Sequence, residues 1–253
     1  MATSNPVLST DTFYEEATAA PSSGVMTVTG ASVKAVVLTA LLAMSGIASW
    51  VLIERADTAN GDARLYHMLF GLGAPLLGFI VAMITSFSPK ASPILAPIYA
   101  VLEGLFLGAI SGFFNARYEG IVAEAALLTT ATLGLMATLY ATRFIVVTNK
   151  LRMGIIGATM AIALMYLVAM VLRLCGVPFH YLYGSDPISI GISFIVVAVA
   201  AFNLVLDFDV IESGAKARAP KYMEWYAAFG LLVTLIWLYA EILRLLAKLR
   251  GRD

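Results

Sequence analysis

From Pro187 to Leu206 the chain reads PISIGISFIVVAVAAFNLVL, a run with no charged side chain. A bilayer core about 30 Å thick takes ~20 apolar residues per helix, so this stretch alone is long enough to cross one. Six more runs meet the same test, and the seven predicted spans are about 34–54, 66–87, 92–114, 121–147, 153–174, 187–211 and 222–248. The polar links between them carry Gly, Pro, Asn or Asp, residues that punctuate helices. Backbone groups in hydrocarbon must bond within their own segment, so each span is predicted to be a helix. The short alternating segments of a membrane β-barrel do not occur. Only 13% of the residues are charged, against roughly 25% in soluble domains, so lipid is the expected surroundings of most of the chain. The reading is an all-α integral membrane protein with a seven-helix transmembrane bundle. Residues 1–30 are expected to be a polar mobile tail and 31–253 a single transmembrane domain.

Other function classes find little support. The net charge is zero, which gives no electrostatic footprint for nucleic acid. The one cysteine, Cys175, allows no internal disulfide. His67 and His180 show no metal-binding spacing, and neither a dinucleotide fingerprint nor a phosphate-binding loop occurs. Ser111 and Ser213 lack the flanking pattern of a nucleophile elbow. The chain is therefore not expected to be an enzyme or to carry a cofactor. Residues 1–30 have no basic segment followed by an apolar one, so they do not read as a cleavable signal. Lys34, Lys90, Lys150, Arg152, Lys216, Arg218 and Lys221 fall on one side of the predicted bundle. By the positive-inside rule that side is cytoplasmic. The expected location is the plasma or inner membrane, multi-pass, with the N-terminus inside.

The informative residues are the few that break the apolar pattern. An ionisable group at the bilayer centre costs ~2.5–3.5 kcal/mol on insertion scales and usually faces the bundle interior or a wet cavity. The candidates are Glu103, Glu124, Arg143, Asp207, Asp209, Glu224 and Glu241. Asp207 lies near one end of the sixth span, with Glu224 and Arg143 at the same level, and Glu241 lies ~25 Å along the seventh span from Glu224. Arg244 is placed to pair with Glu241. Asp207 and Asp209, two residues apart, point about 200° apart on a helix, so only one of them can face a given cavity. Asp207 is expected to face inward.

NLVLDFDVIE in the sixth span and PKYMEWYAAFGLLVTLIWLYAEILRLL in the seventh resemble the Bax inhibitor-1 family. So do LEGLFLGAISGFF in the third span and SNPVLS near the start. The similarity covers about 24–250 plus that N-terminal patch, and the bacterial branch fits best. It implies six helices around a central seventh. It also implies a pH-sensitive calcium leak, held shut by an acidic pair that shares a proton between helices six and seven. The helix-six acid falls on Asp207. For helix seven, depth favours Glu224, while matching the family's LYLD to LYAE gives Glu241. The family's basic partner would fall near Ser86, where this chain has none, leaving Lys90 or Arg143 as possible charge partners. On this reading Asp207 and Glu224 also hold Ca²⁺ transiently as it permeates, and Glu103 is a second stop. The implied partners are the bilayer, Ca²⁺ and protons. A competing reading is a non-conducting protein that regulates a membrane protease or other integral partner; a proton-coupled transporter is a third.

Overall fold

The computed structural model describes residues 24–58, 63–176 and 184–251. His180 lies outside them, as do residues 1–23 of the expected tail. Seven long apolar helices account for nearly everything described. They are α1 (Val28–Thr58), α2 (Ala63–Met68, a π turn at Leu69–Gly73, then Ala74–Phe87), α3 (Ser92–Arg117), α4 (Ile121–Ala141), α5 (Asn149–Leu174), α6 (Pro187–Lys216) and α7 (Met223–Arg250). No strand occurs among the described residues; the nearest thing is an isolated antiparallel bridge between Val25 and Pro220. The fold is all-α with seven membrane-length helices, as the hydropathy pattern requires.

Local chemistry explains where the helices start and stop. Thr148 caps α5 by accepting the Leu151 N–H at 3.2 Å, and Asp186 caps α6 by accepting the Ser189 N–H at 3.2 Å. Such caps satisfy donors that a helix start otherwise leaves open. Pro75 follows the π turn of α2. Its missing N–H and its ring disrupt the regular ladder one turn earlier, and a π turn is one way to absorb that. Pro93 sits harmlessly in the first turn of α3, while Pro97 lies inside that helix. α1 starts at Val28, earlier than expected, and Met26 just before it is buried.

The fourth helix corrects the sequence reading. It ends at Ala141 instead of continuing to 147. Arg143 adopts a left-handed backbone (φ 57°), which a continuing helix cannot accommodate. The apolar residues that follow are β-branched at Ile145, Val146 and Val147 and lose little by leaving the helix. Apolarity alone extended the predicted span across them.

The contacts divide the chain into two compact units. The first holds α1, α2, α3 and Asp209–Val233, which is the end of α6 and the start of α7. Its centre is a contact between α1 and α3 built on small residues. A side chain at Gly104 would overlap Ser45 and the Leu42 carbonyl, and one at Gly108 would overlap the Gly46 carbonyl and Ser49. Ser49 donates to the Leu105 carbonyl at 2.8 Å across the same contact. Close backbone approach of this kind supplies the dispersion that holds helices together where lipid removes the hydrophobic drive. Tyr99 and Phe229 meet edge to face at 4.8 Å between ring centroids. The second unit holds Gly120–Phe208 and the chain from Thr234 onward, which is α4, α5, most of α6 and the rest of α7. Here Asn203 of α6 donates to Thr159 of α5 at 2.9 Å, and Tyr140 of α4 meets Phe208 of α6 at 5.9 Å.

Candidate functional site

Asp207 is fully buried in α6, in a run where Leu204, Val205 and Leu206 are buried as well. Asp209, two residues on, is half-buried. The different surroundings follow from their angular separation on one helix. In the second unit, Glu241 of α7 is also buried, at 2% exposure. Arg244, one turn further, donates to both of its oxygens at 2.9 Å. The Tyr166 hydroxyl of α5 donates to Glu241 at 2.8 Å and accepts from Arg244 at 2.6 Å, so the ion pair ties α5 to α7. Lys248, one turn beyond Arg244, is 5% exposed. It donates to the hydroxyls of Ser189 and Ser193, each at 2.8 Å, and to the Ser189 carbonyl at 3.2 Å. Arg250 pairs with Glu124 of α4 at 2.5 Å. The last turns of α7 are thus tied by polar groups to α4, α5 and α6.

Glu224 belongs to the first unit and is also fully buried. Its carboxylate accepts the Thr27 N–H at 2.9 Å and the Thr27 hydroxyl at 3.0 Å. It also pairs with Lys34 of α1 and, at 2.8 Å, with Lys221. Thr27 in turn accepts the Gly30 N–H at 2.9 Å, which makes it the N-cap of α1. Glu224 therefore completes a capping box from a different helix: it takes the cap residue's own N–H, the part a local glutamate plays in an ordinary box. The carboxylate sits at the N-terminal ends of both α1 and α7, where helix dipoles favour negative charge, and two ammonium groups face it. Backbone bonds strengthen this junction. Met26 donates to the Ala219 carbonyl at 2.7 Å, and Lys221 donates to Gly24 at 3.1 Å. The N-terminal approach to α1 is thus stapled to the α6–α7 link.

Glu103 in α3 is buried at 9% exposure, with its carboxyl against Gly78 of α2, where a side chain would meet it. Lys90 is exposed in the short turn Pro89–Ala91. Arg143 is exposed just beyond α4, its guanidinium 5.5 Å from the centre of the Tyr140 ring. Among the described residues, no three His, Cys, Asp or Glu side chains gather as a metal site would require.

A family model described as Bax inhibitor 1 like matches residues 5–251, nearly the whole chain. The chain belongs to the Bax inhibitor 1 like family. No curated protein and no solved structure matches it. The match agrees with the resemblance read from the sixth and seventh spans and makes this a multi-pass membrane protein of that family. Within this family member, the structure adds groups that sequence reading did not single out. Lys34 and Lys221 counted there only as cytoplasmic charge, and Thr27 only as part of a tail. The i,i+3 spacing of Lys221 and Glu224 was a usable signal; the long-range approach of Lys34 and Thr27 left none. Tyr166 and Lys248 were missed for the same reason, since their partners lie on other helices.

Proposed function

We propose that this Bax inhibitor 1 like protein is a proton-responsive cation leak, with Ca²⁺ as the permeating ion and Asp207 as the acid of the gate. The observation that carries this reading is the burial of acidic groups in apolar, membrane-length helices. Asp207, Glu224, Glu241 and Glu103 are all 9% exposed or less. Placing such groups in a membrane is costly, and three of the four lie in the two helices to which the family resemblance assigns the gate.

In the proposed mechanism Asp207 shares a proton with a carboxylate of α7, Glu224 by depth and Glu241 as the second choice. Two carboxylates that interact this closely titrate as a unit. The shared proton ties α6 to α7 and closes the path. Its loss leaves two negative charges that repel, and the freed oxygens suit Ca²⁺, which takes several oxygen ligands. The leak therefore opens as pH rises. Lys34 and Lys221 already pair with Glu224 and lower the cost of its charge once the proton is lost. The proposed setting is the plasma or inner membrane with the N-terminus inside.

The test is Ca²⁺ entry into indicator-loaded liposomes containing only the purified chain. The proposal expects flux above that of protein-free vesicles, rising with pH, and expects Asp207→Ala to abolish the pH response. No flux from correctly folded protein, together with a stoichiometric partner on purification, would instead identify a regulator of another membrane protein.

A further inference from the structure

The second unit carries a feature that the leak does not use. A cavity of about 270 Å³ opens along the face where α5 meets α6, lined by Lys150, Leu151, Gly154, Ile155, Ala158, Val199 and Phe202. Leu151, Gly154, Ile155 and Ala158 follow the i, i+3, i+4, i+7 spacing of one helix face. The groove exists because two of those positions are small: a side chain at Gly154 would meet nothing within 4 Å. Everything along it is apolar except one end. There Lys150 is exposed and makes no ion pair among the described residues. It stands in the first turn of α5, which contains no acidic residue, so the positive end of the helix dipole adds to its charge. Arg152 follows two residues later. At 26 residues, α5 is about 39 Å long, so its first turn reaches the headgroup layer while the groove descends toward the hydrocarbon.

We propose that this groove is a binding site for an anionic phospholipid, with one acyl chain lying on Gly154 and Ala158 against Val199 and Phe202, and the headgroup phosphate at Lys150. Charge complementarity decides the occupant. An apolar groove in a bilayer is filled by a lipid chain of either charge class, but an exposed ammonium beside a helix N-terminus favours the anionic class. Basic pockets between helices at the membrane boundary recognise anionic headgroups in this way. The site contains none of the acidic residues of the proposed gate, so it stands or falls independently of the leak.

Native mass spectrometry of the full chain, released from detergent after equilibration with phosphatidylglycerol or phosphatidylcholine of identical chains, reads both parts of the site. The wild type is expected to retain phosphatidylglycerol roughly fivefold better, the order of one favourable Lys near a membrane surface. Lys150→Gln should remove that preference while still holding lipid. Gly154→Leu should fill the groove and lose lipid of both kinds. Gly157→Leu is the matched control, because Gly157 also has open space around it but does not line the groove; it should behave as wild type. Equal retention of the two lipids by the wild type overturns the proposal, as does an unchanged preference in Lys150→Gln. So does a Gly154→Leu protein that binds lipid as well as Gly157→Leu does. A groove filled by another segment or a second copy would retain no lipid in the wild type, which also overturns it.

Discussion

Gly30 and Glu224 form a pair whose coupling can be worked out before it is measured. A methyl group on Gly30 would overlap the Glu224 carboxyl. The end of a glutamate side chain ordinarily swings aside at little cost. Here it is held by the Thr27 N–H and hydroxyl, by Lys34 and by Lys221, so making room means giving up some of those contacts. Losing only the cap bonds costs about 1 kcal/mol. Losing the Lys34 contact adds about 1.5–3 kcal/mol for a hydrogen bond to a charged group. Lys221 is half exposed and adds less than about 1 kcal/mol. Gly30→Ala should therefore destabilise by between about 1 and 5 kcal/mol. In a Glu224→Ala background the obstruction is gone. The same change is then a plain glycine-to-alanine substitution in the first turn of α1, and should stabilise by about 0.5–1 kcal/mol. The sign of the effect reverses between backgrounds. Thermal and denaturant unfolding of the four proteins in detergent, followed by tryptophan fluorescence, measures it. Trp225 reports locally, because the Lys34 ammonium lies 5.5 Å from the centre of its ring. If Gly30→Ala changes stability equally in both backgrounds, to within the ~0.5 kcal/mol of ordinary additivity, Glu224 does not lie over Gly30 and the clamp is wrong.

Gly104→Ala forces α1 and α3 apart at the Leu42 carbonyl, a backbone atom that cannot rotate away, and should cost about 1–3 kcal/mol. Gly134→Ala, which meets nothing within 4 Å, should raise the melting temperature in the same assay through helix propensity. Tyr166→Phe removes the hydroxyl that both donates to Glu241 and accepts from Arg244. It should cost about 0.6 kcal/mol and no more than about 1.7, the average and the maximum for interhelical hydrogen bonds in membranes; an unchanged unfolding midpoint would show that the hydroxyl does not bridge α5 and α7.

The helices were legible because the bilayer imposes a length and forbids open backbone groups. The runs beginning at Ser92, Ile121 and Pro187 start where the sequence places them. The small-residue pattern from Gly108 to Gly112 also carried information: Gly108 lies where α1 and α3 backbones meet, and Gly112 packs against the Trp50 ring. Arg244 was legible as the partner of Glu241 because three residues on a helix is a contact distance. The limits are equally physical. The end of α4 depends on the backbone of Arg143, which hydropathy does not register. The setting of Glu224 depends on Thr27 and Lys34, nearly two hundred positions away, and on a glycine whose significance is the absence of a side chain. A sequence read along one chain shows that a carboxylate is costly where it stands, but not which distant cation meets it.

In the proposed gate Asp207 and a carboxylate of α7 act as one proton-binding unit. The pH profile of Ca²⁺ flux in liposomes tests this for wild type, Asp207→Asn, Glu224→Gln and the double variant, with Glu241→Gln alongside. Asp207→Asn should flatten the rise of flux with pH, Glu224→Gln should flatten it to the same degree, and combining them should add nothing further. A wild-type pH response that persists in Asp207→Asn, or two single variants whose effects simply sum, would contradict it.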